Sequence, residues 1–230
     1  MAAQKRIAPL KFLKTRPIFI LNGQQDATVR PLAGIKSLQF YSHFTDEKNI
    51  FSNFSLEAGH GFPTVDQGIR CASTAAPWVL NCNYDTARES LTFILKRDLY
   101  IGLAKTENLY RWPVRSLLTP GSHIAPEAIV YIPTACLGAQ SSLCDLHVVF
   151  HGCRQTLDEA GLDFILKSGY NDWAENNRLV ILYPQMTKST LNPKGCWDWW
   201  GYTNDDYDQT SGLQIKSIMQ MIHSLTGKKK

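Results

Sequence analysis

Apolar and polar positions along the N-terminal half follow periods that predict strands and helices in turn. Residues 17–21 form an apolar run rich in β-branched and aromatic side chains that stops at Asn22-Gly23, which predicts a buried strand. Apolar residues at helical spacing predict a helix over residues 32–44, and an alternating segment predicts a second strand over residues 51–56. This order of strand, helix and strand is typical of an α/β fold.

The same alternation continues to the C-terminal end. Residues 101–127 contain prolines and glycines without a clean period and are interpreted as a hairpin or an insertion, and residues 192–207 as an aromatic loop. The other predicted elements are helices over 84–99, 157–173 and 213–225 and strands over 128–132, 146–150 and 179–183. Because no internal repeat interrupts this alternation, the sequence predicts an α/β fold with a mostly parallel sheet in one domain, residues 1–230.

The composition agrees with a globular fold and excludes several classes of partner. Of 230 residues, 44% are hydrophobic and 19% are charged, which allows a sizeable core. The net charge of +4 depends partly on the terminal lysines 228–230, so no basic stripe indicates a nucleic-acid partner. No stretch approaches the roughly 18 to 20 apolar residues of a transmembrane helix, and we expect no membrane partner.

Cysteine usage indicates an oxidising compartment, because six cysteines fall in close or complementary groups. No C-x-x-C pair occurs and the histidines lack zinc-finger spacing, so neither a metal nor another cofactor is predicted. Residues 1–16 are basic but lack the apolar segment and cleavage site of a signal peptide. One resolution is that the true N-terminus of an exported protein is missing.

An acid and a histidine follow the first two predicted strands. Asp26 comes after the first and His60, 34 residues later, after the second, in the order of the last two members of a hydrolase triad. The acid would fix the imidazole tautomer, and the histidine would take and return the proton of a nucleophile. Each alone is often only a turn or loop residue, but together they favour a hydrolase.

A third feature is the apolar run that ends at His151-Gly152-Cys153. A His-Gly turn in this position resembles the oxyanion loop of α/β-hydrolases, in which backbone N–H groups stabilise a tetrahedral intermediate. The alternative is a structural turn in which glycine supplies an unusual φ. In an ordinary α/β-hydrolase this loop precedes the serine, whereas here it follows the histidine. That order implies a circular permutation.

Longer motifs make a family resemblance specific. The chain is similar to the poly(3-hydroxybutyrate) depolymerases with a circularly permuted, single-domain α/β-hydrolase fold, over about residues 16–225. The segments that carry the likeness are GHGFPT at 59–64, NCNYD at 81–85, HGCRQ at 151–155, SGYNDWA at 168–174, LYPQ at 182–185 and NPKGCWDWWGY at 192–202. The resemblance implies a secreted or periplasmic protein whose substrate is a polyester or a hydroxyacid oligomer.

The resemblance also implies roles for individual residues. Asp26 would be the triad acid, His60 the base, and the backbone N–H of Cys153 one oxyanion donor. Tyr202 would line the polymer crevice. Trp199 and Trp200 are further candidates for substrate contact, although clustered tryptophans are more often core or loop anchors. The implied disulfide bridges join Cys71 to Cys82, Cys136 to Cys144 and Cys153 to Cys196.

The chain departs from the family at the nucleophile. No G-x-S-x-G elbow occurs in the 230 residues, and the 16 residues before the first predicted strand are too few for a strand, an elbow and a helix. Neither Ser168 nor Ser211 follows a strand on such a turn. We therefore expect a C-terminal portion of a depolymerase, incomplete at its N-terminus, with unpaired sheet edges and no activity alone. Alternatives are a non-catalytic polymer- or partner-binding remnant and a feruloyl- or acetyl-ester hydrolase.

Overall fold

The computed structural model describes residues 4–138 and 143–227. The chain divides into two compact units. The N-terminal unit extends to Leu99 and also takes in Asp163–Gly169, and the C-terminal unit consists of Tyr100–Leu162 and the chain from Tyr170 onward. That residues 1–230 fold as one domain stays a prediction.

Nine strands and six α-helices occur among the described residues. The strands are β1 (Ile18–Leu21), β2 (Ile50–Asn53), β3 (Phe62–Thr64), β4 (Ile69–Arg70), β5 (Val79–Asn81), β6 (Leu109–Pro113), β7 (Glu127–Tyr131), β8 (Asp145–Val148) and β9 (Leu179–Tyr183). The helices are α1 (Pro31–Ser42), α2 (Thr86–Leu95), α3 (Leu157–Ala160), α4 (Asp163–Lys167), α5 (Tyr170–Glu175) and α6 (Leu213–Thr226).

The N-terminal unit contains two small parallel sheets. β1 and β2 pair in parallel, and the stacked rings of Phe19 and Phe51 lie 4.8 Å apart across the pair. β3, β5 and β4 form the second sheet in that order, also in parallel. Helix α2 begins where the Asp85 carboxylate accepts the Arg88 N–H at 2.9 Å, an N-cap that satisfies one free donor. Strands β3 to β5 have two or three residues each, too short for a periodic pattern to predict.

The C-terminal unit is built on a mixed sheet of order β6-β7-β9-β8. β7 is antiparallel to both neighbours, whereas β8 and β9 are parallel. On one side, β7 and β9 contribute to a core that includes Val130, Leu182 and Met221, the last from α6. Four of the six strand pairings in the described ranges are parallel, which agrees with the predicted mostly parallel pairing. The strands lie in three separate sheets rather than in the single sheet that the sequence predicts.

The single helix predicted over residues 157–173 is wrong. The segment folds as α3, α4 and α5, because Gly161 and Gly169 interrupt it with φ values of +61° and +84°. Glycine adopts a positive φ readily, and a residue with a positive φ cannot continue a right-handed α-helix. None of the helices in the described ranges is long and apolar enough to cross a membrane.

Candidate active site

Asp26 and His60 lie side by side in the loops that follow the two parallel strands β1 and β2, with His60 two residues before β3. The loop after β1 remains hydrogen-bonded to the loop after β2, with Gln25 N–H donating to the Ala58 carbonyl at 3.0 Å. Gly23 allows this approach, since a Cβ there would lie 2.1 Å from the Ala58 oxygen. The result is a hydrogen bond of 2.8 Å between Asp26 Oδ2 and His60 Nδ1.

The Asp26 carboxylate is buried and fixed through its other oxygen. Its side chain is 8% exposed, and Oδ1 accepts the backbone N–H groups of Thr28 and Val29 at 2.8 and 2.7 Å. These bonds set the rotation of the carboxylate and leave Oδ2 for the histidine. A carboxylate held in this way orients an imidazole without rotating away from it.

The His60 backbone sits in a narrow turn between two glycines. A Cβ at Gly59 would lie 2.2 Å from the Ser73 carbonyl oxygen, and one at Gly61 would lie 2.8 Å from Leu80 Cγ. The His60 N–H donates to Thr74 Oγ1 at 3.0 Å. The flanking glycines are therefore required by close packing rather than being loop filler.

The His60 side chain is arranged to accept a proton. Because Asp26 holds Nδ1, the hydrogen-bond pattern assigns the proton of the neutral ring to Nδ1 and leaves Nε2 as the acceptor. Nε2 has no partner among the residues that the structure describes, and the side chain is 32% exposed. The edge of the ring faces Trp78, with the ring centroids 6.2 Å apart. This geometry suits a general base.

His151 has a structural role instead. Its ring accepts the Met186 N–H at Nε2 (3.1 Å) and contacts the Gly152 carbonyl through Nδ1 (2.8 Å). Burial lowers the pKa of His151 despite the opposing effect of the Gly152 carbonyl. The ring is thereby kept neutral, and both nitrogens are used to hold the loop that follows β8.

The backbone N–H of Cys153 is free, whereas those on both sides of it are bonded. The Gly152 N–H donates to the Gln155 side chain at 2.9 Å, and the Arg154 N–H donates to the Lys194 carbonyl at 2.7 Å. The Cys153 N–H has no acceptor in the described part of the chain, and the residue is exposed. A fixed, unsatisfied N–H of this kind can donate to an oxyanion.

Three disulfides form in the pairing that the resemblance implies, and the described residues contain no free cysteine. Cys71–Cys82 closes the loop that holds Thr74 and Trp78 against His60. Cys153–Cys196 joins the loop after β8 to the aromatic loop. No group of three or more potential metal ligands occurs in residues 4–138 or 143–227.

Asp198 organises the aromatic loop. Its Oδ1 accepts the backbone N–H groups of Trp200, Gly201 and Tyr202 at 2.7 to 3.2 Å, and its Oδ2 accepts the Thr203 N–H and hydroxyl. Burial alone would raise the pKa of Asp198, but these bonds outweigh it and hold the pKa below the usual carboxyl value. The main chain of residues 200–203 is therefore held by hydrogen bonds to the Asp198 carboxylate.

The predicted substrate residues differ in how accessible they are. Tyr202 is half-buried, and its hydroxyl is occupied by Asn192 at 2.9 Å and Gln214 at 2.8 Å, so only part of its ring is accessible. Trp199 is 70% exposed and Trp200 is 42% exposed, with their rings at 5.2 Å in an edge-on contact. The two tryptophans present more apolar surface to solvent than Tyr202 does.

Known proteins with similar sequences decide the family. A polyhydroxybutyrate depolymerase of Talaromyces funiculosus is 31% identical over 239 residues, which cover 96% of this chain and 69% of the relative. The chain belongs to the polyhydroxybutyrate depolymerase family. A poly(3-hydroxybutyrate) depolymerase of Delftia acidovorans is 30% identical over 96% of the chain, which spans only 44% of that relative. No protein-family profile matches.

Solved depolymerase structures are also similar. A serine-to-alanine variant of a PHB depolymerase complexed with R3HB trimer superposes with a TM-score of 0.88 at 28% identity, over 96% of this chain and 74% of that one. The PHB depolymerase from Penicillium funiculosum gives a TM-score of 0.87 at the same identity and coverage. The mixed α/β architecture of this chain is therefore that of the depolymerases.

Neither serine considered as a replacement nucleophile stands on an elbow. Ser168 is 2% exposed at the end of α4, and Ser211 donates to the Asp206 carboxylate at 3.1 Å. Two residues with local holding contacts were not recognised from the sequence: Thr74, which accepts the His60 N–H, and Asp198, which organises the aromatic loop. For Asp198 a weak signal exists, because an aspartate with a glycine three residues later is typical of a turn bonded through its side chain.

Proposed function

We propose that this protein is a carboxylic ester hydrolase of the depolymerase type in which His60 is the general base and Asp26 orients it. The observation that supports this most directly is the 2.8 Å contact between Asp26 Oδ2 and His60 Nδ1, with Nε2 left open. In the reaction, Nε2 takes the proton of a serine hydroxyl as the hydroxyl attacks the ester carbon. Asp26 stabilises the imidazolium, which then gives the proton to the leaving alcohol.

The nucleophile is the part of the proposal that these residues do not supply. No G-x-S-x-G occurs in the 230 residues, so turnover needs a serine elbow from outside them, and the chain alone is inactive. The free N–H of Cys153 is proposed as one oxyanion donor. Since the oxyanion loop follows the acid and the base in sequence, the proposal includes a circularly permuted hydrolase order.

The proposed substrate is a 3-hydroxyacid polyester or its oligomers. Support comes from the family and from a solved neighbour that carries R3HB trimer. The exposed indoles of Trp199 and Trp200 offer an apolar platform, and the Tyr202 ring lies 4.7 Å from that of Trp200. Three disulfides favour a secreted or periplasmic location.

An ester assay with active-site labelling tests the missing nucleophile. The purified chain is incubated with a p-nitrophenyl ester and with 3-hydroxybutyrate trimer, and in parallel with a fluorophosphonate probe. We expect no enzymatic turnover and no covalent label, because the base has no hydroxyl to activate. Labelling of a serine, with hydrolysis that is lost in His60→Ala, would show that the chain has its own nucleophile.

A second candidate function is polymer binding without catalysis, which the exposed Trp199 and Trp200 support. Titration of the chain with R3HB trimer, followed by tryptophan fluorescence, tests it. Binding that weakens in Trp199→Ala but not in Leu191→Ala, a control at a leucine that is 66% exposed, would support the platform. Equal effects of the two substitutions, or no binding, would remove this candidate.

A further inference from the structure

Asn22 directly follows β1 and bridges the loop that carries Asp26. The residue is 7% exposed, and its main-chain N–H extends the parallel pairing by donating to the Asn53 carbonyl at 3.2 Å. Its side-chain Nδ2 donates to the Val29 carbonyl at 3.0 Å, and its Oδ1 accepts the Gly34 N–H at 3.2 Å. The buried side-chain amide of Asn22 thus connects both Val29 and Gly34 to the end of β1.

Val29 connects this amide to the acid. Its carbonyl accepts the Asn22 side chain, while its N–H donates to Asp26 Oδ1 at 2.7 Å. Asn22 therefore holds Val29 through its carbonyl, and Val29 in turn holds the Asp26 carboxylate through its N–H. Any displacement of Val29 moves a donor that sets the rotation of Asp26.

The second bond of Asn22 holds the start of α1. Helix α1 begins with Pro31, and its N-cap residue, Arg30, provides no side-chain cap. The Asn22 side-chain oxygen accepts the N–H of Gly34, the fourth residue of α1, and so ties this end of the helix to the end of β1. A Cβ at Gly34 would lie 2.7 Å from Asn22 Oδ1, so the glycine is what lets the amide approach.

We infer that Asn22 is a positioning residue for the Asp26–His60 pair: by fixing Val29 and the first turn of α1, it aims the carboxylate at the imidazole. This inference rests on the proposed function, in which His60 is the general base and Asp26 orients it. The geometry it concerns can be measured without turnover. A purely structural asparagine would stabilise the unit without any specific effect on His60.

The test is an NMR comparison of the chain with Asn22→Ala and with a matched control, Asn49→Ala. Asn49 is also a buried amide of the N-terminal unit, 3% exposed, and its Oδ1 accepts the Lys96 ammonium at 2.7 Å. In the unchanged chain, His60 should show the Nδ1–H tautomer. In Asn22→Ala we expect a mixture of tautomers and exchange of the Val29 amide that is about tenfold faster, because the Val29 N–H opens more often from Asp26 Oδ1 once the Asn22 bond to the Val29 carbonyl is lost. Asn49→Ala should change neither.

A second variant keeps the inference testable if Asn22→Ala does not fold. Gly34→Ala leaves the asparagine in place but pushes it aside, and it should shift the His60 tautomer in the same direction. The inference is overturned if either folded variant retains the Nδ1–H tautomer and slow Val29 exchange. Turnover of an elbow-extended chain that survives His60→Ala would refute the proposed function without changing these spectra, so the two proposals fail separately.

Discussion

Burial of His147 should make the C-terminal unit sensitive to acid. The side chain lies in β8, with its ring centroid 5.2 Å from that of Tyr170, and burial lowers its pKa from 6.5 to about 4. Between these pH values the unfolded chain binds a proton at His147 and the folded chain does not, so stability falls as the pH falls through this window. The full difference corresponds to about 3 kcal/mol, and about 2 kcal/mol is already lost at pH 5.

His147→Phe removes the titration while keeping a ring against Tyr170. Urea unfolding at pH 7 and pH 5, followed by tryptophan fluorescence, reports mainly on the C-terminal unit, which holds five of the six tryptophans. The variant should lose about 2 kcal/mol less than the unchanged chain between the two pH values. His43→Phe, at an exposed histidine, is the control. Equal acid sensitivity of the His147→Phe and unchanged chains would refute the reasoning.

Two further predictions concern the C-terminal unit. Replacing both cysteines of the bridge Cys153–Cys196 by alanine should lower the free energy of unfolding by about 4 kcal/mol, against about 2.5 kcal/mol for Cys136–Cys144, because the sequence separations are 43 and 8. Urea titrations of the two double variants measure this, and equal losses would contradict the loop-closure explanation. Asp198→Asn should cost about 2 kcal/mol and red-shift the tryptophan emission, since an amide NH₂ cannot accept all the bonds of the carboxylate. An unchanged spectrum and stability would show that Asp198 does not hold the aromatic loop.

The elements with a strong local pattern were predictable from the sequence. The strand predicted over residues 179–183 is observed as Leu179–Tyr183, and the closing helix is observed as Leu213–Thr226. The interruption of the predicted helix 157–173 also has a local signal in the sequence, namely Gly161 and Gly169. The helical spacing of the apolar residues across these glycines nevertheless favoured one continuous helix. Sheet pairing was less predictable, because the antiparallel position of β7 depends on contacts between segments far apart in sequence.

The pairing of Asp26 with His60 was predictable from the order of strands, acid and histidine along the chain. Asp26 and His60 follow successive strands, and parallel pairing brings the carboxyl ends of such strands together. Asn22 could not be recognised in the same way. Next to glycine it is typical of a turn, and its function depends on a bond to Gly34 twelve residues later, which local patterns do not show.

His60, oriented by Asp26, is proposed as the base of an ester hydrolase. The most direct measurement is hydrolysis of 3-hydroxybutyrate trimer by the chain joined to a segment that carries a G-x-S-x-G serine elbow. We predict turnover that falls by about 10⁴-fold or more in His60→Ala, while His43→Ala has no effect, because without the base the serine is not activated. Turnover that survives His60→Ala would contradict the account.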